Sequence, residues 1–466
     1  MRRSFVGLMF ISLLFMGLLL YIQWFNYTKT AGETKPIGEA KLVQAITVTW
    51  EHKSLHVEQQ VSGINGNSLN VRIPKGLNEF ECVNSENKPC QIEGKRIDGE
   101  DSAKFQFRVP MEEKTFLFNQ WVQFPEVKFK ETTLEVIEPL PFEGFWTSTA
   151  SLTGYTQLET IAYFQFQTNS DHYSLFRSEE SLHTASIGPL QIFGSGKEGS
   201  FEKQEAEQWV QKLPEFGKWN IVFSDLIPAS YTKGLLIVPS TTAKEELKAS
   251  LIRTYMNETF IVDESLNESF LSLISSILLE EEIHPASVYP QLLKKLSERD
   301  LDLLQAKIKS QINQPITPSW LDEQLYKIKG LKTTFVTDYF ENGKNGELLF
   351  FDPRPVTGFN NNETNILTLI QSGLRYFPLI ETMDLIGYEV NQGPEENLVE
   401  IRKEGHHFQF YTDKPSIFEN DVPYLLKQIP LSYFNNKLYM EEGWLRRLFT
   451  LDIITGEDTI RLKDLP

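Results

Sequence analysis

The signatures of well-known catalytic chemistry are missing from this chain. It contains no HExxH, no GxSxG and no Walker loop, so the zinc, serine and nucleotide chemistries that those motifs carry have no starting point. Cysteine is nearly absent, at 2 in 466 residues, and a zinc site beside that pair would need two further ligands. Positive charge is short as well. Lys+Arg is 45 against Asp+Glu 63, a net charge of -18 spread along the chain. That balance argues against a nucleic-acid partner and against electrostatic attachment to anionic lipid. Disorder is excluded by an aromatic content of 12%, with 33 Phe, too rich for a chain that cannot form a core.

One long apolar run is present. Arg2 and Arg3 precede an uncharged stretch from Phe5 to Ile22, followed by Trp24 and Phe25. At about 1.5 Å per residue the run is roughly 27 Å of helix, close to the bilayer's hydrocarbon thickness. The basic flank predicts a cytoplasmic N-terminus, and Tyr21, Trp24 and Tyr27 suit the outer interface. The expectation is an uncleaved signal-anchor transmembrane helix over 1–27, a linker over 28–40 and an extracellular C-terminal ectodomain, giving a single-pass cell-membrane protein. A cleaved signal peptide is the rival, but no small-x-small site follows the core. Cys82 and Cys90, separated by VNSENKP, fit a local disulfide in that compartment, with two free thiols as the alternative.

The rest of the chain reads as multidomain α+β. Short segments rich in β-branched and aromatic residues, such as Ala45–Trp50, His56–Val61 and Thr133–Ile137, alternate with Gly, Asn and Pro turns. They predict a β-sandwich-like region over 41–200 with a possible break near 140–150. In IAYFQFQT, Ala162, Phe164 and Phe166 share the face expected to be buried. Apolar residues at i, i+3 and i+4 then predict helices at Glu205–Leu213, Thr242–Met256, Ser265–Ile283, Leu293–Ile312 and Ser319–Ile328. With strands at Trp219–Phe223 and Gly234–Val238, this makes 201–332 a mixed α/β middle domain. Thr333–Tyr339 and Leu348–Phe351, flanking ENGKNGE, read as a β-hairpin connector over 333–366.

The C-terminal segment 367–466 holds an internal repeat. Tyr376-Phe377-Pro378-Leu379 and Leu385 to Val390 recur 63 residues later as Tyr439 to Glu442 and Leu448 to Ile453. Each half closes on a short strand, and one unit alone cannot bury its apolar face, so two must stack. Tyr376, Pro378, Leu379, Gly387, Val390, Asn436, Tyr439, Leu448 and Ile453 carry the pattern. It resembles the copper amine oxidase N-terminal-like, or stalk, domain of Gram-positive surface proteins over about 367–462. Glu441 stands where that pattern has proline, and Thr450 where it has glycine. The resemblance implies a spacer or wall-facing adhesion module rather than a catalytic one. Copper is not expected: the only Asn-Tyr is Asn26-Tyr27, and His406 and His407 are strand neighbours that point to opposite faces.

Other candidates read as structure. Gly194 to Gly199 fits G-x-G-x-x-G without a helix opening at the glycines. Glu280-Glu281-Glu282 with His284 reads as a solvated helix end. Asp338, Glu341 and Glu347 lack EF-hand spacing for calcium. No catalytic, cofactor or metal residue is therefore assigned and no cofactor expected. The leading expectation is a non-enzymatic, membrane-anchored scaffold binding a cell-wall polymer or an envelope protein. The alternative is a hydrolase of envelope glycans or peptides whose carboxylates are assembled by the fold, recognisable by carboxylates converging in one cleft.

Overall fold

The structure, a computed structural model, describes residues 42–464 apart from 52, 66–67, 91, 94–95, 98–99, 126, 143, 171–172, 195–202, 284–287, 359–363 and 393–396. The described chain is predominantly β, with 40% strand against 23% helix. No helix among the described residues is long and apolar enough to cross a membrane. This corrects the expected fold class and the single-pass localisation: the anchor assigned to 1–27 and its linker lie outside the described residues. The G-x-G-x-x-G stretch beyond Gly194 and His284 lie outside them too. The chain divides into two compact units, Met1–Glu198 with Lys218–Thr241, and Gly199–Gly217 with Thr242–Pro466.

The first unit is built on a seven-stranded sheet. Its order is Ser151–Gln157, Ile161–Thr168, Glu131–Pro139, Val43–Glu51, Ser54–Ser62, Ser102–Pro110 and Asn78–Asn84. The period-two pattern turns one face inward, burying Val48, Val57, Phe105, Phe107, Val136 and Phe166. A three-stranded sheet of Phe145–Ser148, Leu175–Ser178 and Phe116–Phe118 shares this core. Gln59 is buried on the apolar face, but its amide donates to the Val122 carbonyl at 2.7 Å and accepts from the Val122 amide at 3.0 Å. The edge strand Asn78–Asn84 is pinned by the Cys82–Cys90 disulfide, Cα–Cα 5.4 Å.

Strands Trp219–Phe223 and Leu235–Val238, expected among the helices, instead join His183–Ile187, Leu190–Gly194 and Ser230–Thr232 in a five-stranded sheet of this unit. Their apolar runs, IVF and LLIV, are buried on both faces, and the strands pair in parallel. The helices of 201–332 are thereby left in the second unit without these strands.

Arg177 and Glu138 form a buried ion pair in the first unit, with side chains 5% and 3% exposed. Arg177 donates to both carboxylate oxygens, at 2.9 Å and 3.2 Å, and Trp146 donates to Glu138 at 3.1 Å. Its guanidinium also lies over the rings of Trp50 and Phe142, at 4.8 Å and 4.9 Å. Burial pushes the Glu138 carboxyl up against the pull of Arg177. Arg177→Met should lower stability by about 3–5 kcal/mol, because one charge stays buried alone. Urea unfolding checks this, and an unchanged midpoint would rule out a buried pair.

In the second unit, helices Lys244–Thr259, Asn267–Leu279, Glu298–Lys309 and Pro318–Lys329 bury Leu251, Phe270, Ile277, Leu304 and Leu321. Ser297 and Asp300 form a capping box at the start of Glu298–Lys309. The two repeat units correspond element by element. Strand Leu374–Pro378 and helix Leu379–Leu385 in one match Lys437–Glu441 and Glu442–Leu448 in the other. The matched strands pair antiparallel as Tyr376↔Glu441, Phe377↔Met440 and Pro378↔Tyr439, so the units meet about a local two-fold. Of the pattern residues, Pro378, Leu379, Tyr439 and Ile453 are buried, while Tyr376 is half-buried and Val390 packs partly buried against the core. Leu448, expected in the core, is only half-buried. The short helix turns Leu445 inward instead, and Phe449 just beyond it.

Gly387 has φ 80° and its counterpart Thr450 φ 52°. Thr450 thus keeps a left-handed turn that its β-carbon disfavours, while Glu441 reproduces the φ of Pro378, -65° against -63°. Thr450→Gly should raise stability by about 1 kcal/mol. A chemical denaturation midpoint that fails to rise would show that the turn is not strained.

Candidate active site

Residues 333–339, expected as a strand, begin a helix, Phe335–Phe340. The reason is a carboxylate from elsewhere in the fold. Asp322, on helix Pro318–Lys329, accepts hydrogen bonds from the backbone N–H of Val336 at 3.1 Å and of Thr337 at 2.9 Å. It also accepts from the Thr337 hydroxyl at 2.8 Å. A side-chain oxygen acceptor at otherwise unpaired first-turn amides stabilises a helix start. That turn places Asp338 beside Asp322, where both line a cavity of about 1060 Å³.

The cavity lies wholly within the second unit. It is lined by Asp322, Glu323, Tyr326, Lys332, Thr334 and Asp338 together with Asn365, Ile366, Pro378, Glu381, Lys437 and Tyr439. Loop residue Lys344 closes over Asp338, its backbone N–H donating to the Asp338 carbonyl and its ammonium to the side chain, both at 2.9 Å. The loop is tied down where Asn435 accepts from the Glu347 N–H at 2.6 Å and donates to its carbonyl at 3.0 Å.

The two aspartates differ in electrostatics. Asp322 is 6% exposed. Burial, helped by the negative charge of Asp338, pushes its carboxyl above the usual range despite three hydrogen bonds. Asp338 is half-buried, which alone would raise it, but hydrogen bonds from Lys344, Thr334 and Asn342 outweigh burial and hold it below the usual range. Asp322 therefore holds a proton more tightly than an ordinary aspartate and Asp338 less tightly. Burial and the charge of Glu381 raise the Tyr439 phenol to about 12, so it stays protonated at neutral pH.

Of the repeat residues singled out in the sequence, Pro378 and Tyr439 line this cavity, while Gly387 and Leu448 border a second one of about 820 Å³. Asn436 sits in the turn before Lys437 with φ 60°. Cys82 and Cys90 lie in the other unit and take no part. His406 is exposed, and His407 sits 3.8 Å from Glu400. Of the Glu280–Glu282 run, Glu280 pairs with Lys212 at 3.2 Å and Glu281 with Lys248 at 2.7 Å. Asp322 escaped the sequence reading altogether. Thr334 followed by Asp338 was a helix-start signal that the β-branched run Thr333–Val336 obscured.

No family model matches the sequence, and no curated protein matches it. Among solved structures, the chain is similar to a mutant M1 zinc metallopeptidase from Deinococcus radiodurans, at 12% identity and TM-score 0.42. The likeness covers 65% of this chain and 94% of that one. The same mutant bound to a Tyr-Ser-Ala substrate gives 12% and 0.42 over 64% and 94%. The unmutated enzyme gives 12% and 0.39 over 62% and 90%. A likeness of this size carries no argument about this chain's chemistry. The residues here do not fit a zinc ion either: HExxH is absent from the sequence, and no group of three or more His, Cys, Asp or Glu among the described residues could hold a metal.

These findings correct the leading expectation of a non-enzymatic stalk or cell-wall scaffold. Carboxylates converge in one cleft, the feature that distinguished the hydrolase alternative. The cleft's dependence on Asp322 is testable directly. Asp322→Ala strands two amides and a hydroxyl, at an expected cost of about 1–3 kcal/mol. Hydrogen exchange at Val336 and Thr337 should accelerate in the variant; unchanged protection there would refute the cap.

Proposed function

We propose that this cleft is the active site of a hydrolase acting on a glycan, with Asp322 and Asp338 as its acid and base. The observation that carries the reading is the pairing of these two carboxyls in one cavity with their proton affinities driven apart. Separated affinities of this kind assign acid and base roles. The glycosidic oxygen takes the proton of Asp322 as its bond to the anomeric carbon breaks. Asp338 takes a proton from the attacking water, which supplies the new bond to that carbon.

Glycan is favoured over peptide by the lining. The cleft has no histidine or cysteine, and the hydroxyl of Ser319 is bonded to Thr317 at 3.0 Å, so no nucleophile–base pair for acyl transfer is at hand. Tyr326, Phe351 and Tyr439 offer rings, and Thr334, Thr337 and Asn365 offer polar groups, a combination suited to sugar faces and hydroxyls. We further propose that 367–462 is a stalk-like pair of units lending the cleft one wall. Its support is the 63-residue correspondence of the two units.

Reducing-end release from polysaccharides, measured beside a peptide panel, tests the reading. Asp338→Asn should cut turnover by about 10²–10⁴ with little change in melting temperature. Activity requires Asp338 ionised and Asp322 protonated. The pH profile should therefore be a bell whose acid limb lies below the usual carboxylate range and whose alkaline limb lies above it. Wild-type cleavage of peptides alone, or an Asp338→Asn variant as active as wild type, would overturn the assignment.

A further inference from the structure

The charges lining the cleft are nearly all matched. Asp338 pairs with Lys344 at 2.9 Å, Glu323 with Lys327 at 2.7 Å, and Glu381 with Lys437. Asp322 is held by two backbone amides and a hydroxyl. Among the described residues, Lys332 is the lining cation with no carboxylate partner. Its backbone is fixed on both sides, since its N–H donates to the Phe351 carbonyl at 2.7 Å and its carbonyl accepts from the Phe351 N–H at 2.8 Å. Phe351 lines the same cleft. The backbone that carries the ammonium is therefore anchored at the cleft.

We infer that Lys332 is a specificity-determining residue that selects a glycan bearing an anionic group on a sugar next to the scissile bond. The inference rests on the hydrolase reading above and deepens it. A cation without a protein counter-charge gains most from a ligand that supplies one, while the paired lysines would first have to give up their carboxylates. A point-charge ammonium serves a carboxylate or a phosphate substituent alike. The experiment therefore carries both.

Equilibrium binding is measured by calorimetry on the full-length protein with thioglycoside-linked probes, which bind without being turned over and leave the Asp338–Lys344 pair intact. The probes are a uronic-acid oligosaccharide, a phosphorylated oligosaccharide and the carboxyl-reduced neutral form of the first. Wild-type Lys332 should favour at least one anionic probe over the neutral one by about tenfold, with the preference shrinking as salt rises. Lys332→Gln should abolish the preference while leaving the neutral probe's affinity within about twofold, and Lys332→Arg should keep most of it. Equal loss on charged and neutral probes, or no preference in the wild type, overturns the inference. Because the readout is binding, selective binding with no reducing-end release from polysaccharides by the wild type would sink the hydrolase reading and leave the role of Lys332 standing.

Discussion

The Asp322 carboxylate is the constraint on which the candidate site depends. It reaches from one helix to the unpaired amides at the start of the next, and so decides that Phe335–Phe340 is helical. Burial and the neighbouring charge of Asp338 raise the carboxyl's proton affinity against the pull of those same hydrogen bonds. The contact also sets Asp338 on the first turn of the capped helix, where Thr334, Asn342 and Lys344 hold it ionised. One interaction thus fixes the backbone and places the second carboxylate, while burial separates the two affinities. A buried acid that both caps a helix and lines a cleft combines structural and chemical roles.

Buried charge organises other parts of the chain by the same rule, that ions leave water only when matched. Glu138 and Arg177 do so inside the first unit. In the second, Asp352 is 2% exposed and accepts from Arg354 at 2.6 Å and Arg375 at 3.0 Å. Arg375 reaches on to Glu442 at 3.3 Å, and Arg446 binds that same Glu442 at 2.7 Å. Since Arg375 sits on the first repeat's strand and Glu442 on the second repeat's helix, this network ties the halves together beside their paired strands. The apolar core of the repeat, including Phe377, Met440, Leu445 and Phe449, supplies the non-directional attraction. The ion pairs and strand register supply direction.

The repeat also shows how a turn can outlast its favoured residue. Gly387 adopts a left-handed angle without steric cost, whereas Thr450 is held there by the same helix–turn–strand geometry. Glu441 similarly occupies a backbone angle that Pro378 has built into its ring. Sequence divergence between the halves has changed side chains while leaving the path intact, because matched strands and buried apolar positions over-determine it.

Local regularities were legible in the sequence because they repeat at short range. Period-two alternation marked the sheet faces of Val43–Glu51 and Ile161–Thr168. Helical spacing marked Asn267–Leu279 and Glu298–Lys309, and close cysteines marked the Cys82–Cys90 loop. The 63-residue recurrence fixed the order of elements in both C-terminal halves. Tertiary structure alone decided which sheet received Trp219–Phe223, since an apolar strand can pair with any neighbour of like period. It also decided that Thr333–Tyr339 would not be a strand, because the deciding acceptor, Asp322, is supplied by a different helix. The cleft itself joins residues from Asp322 to Tyr439. No local pattern encodes such a meeting, because proximity across more than a hundred residues is a property of packing.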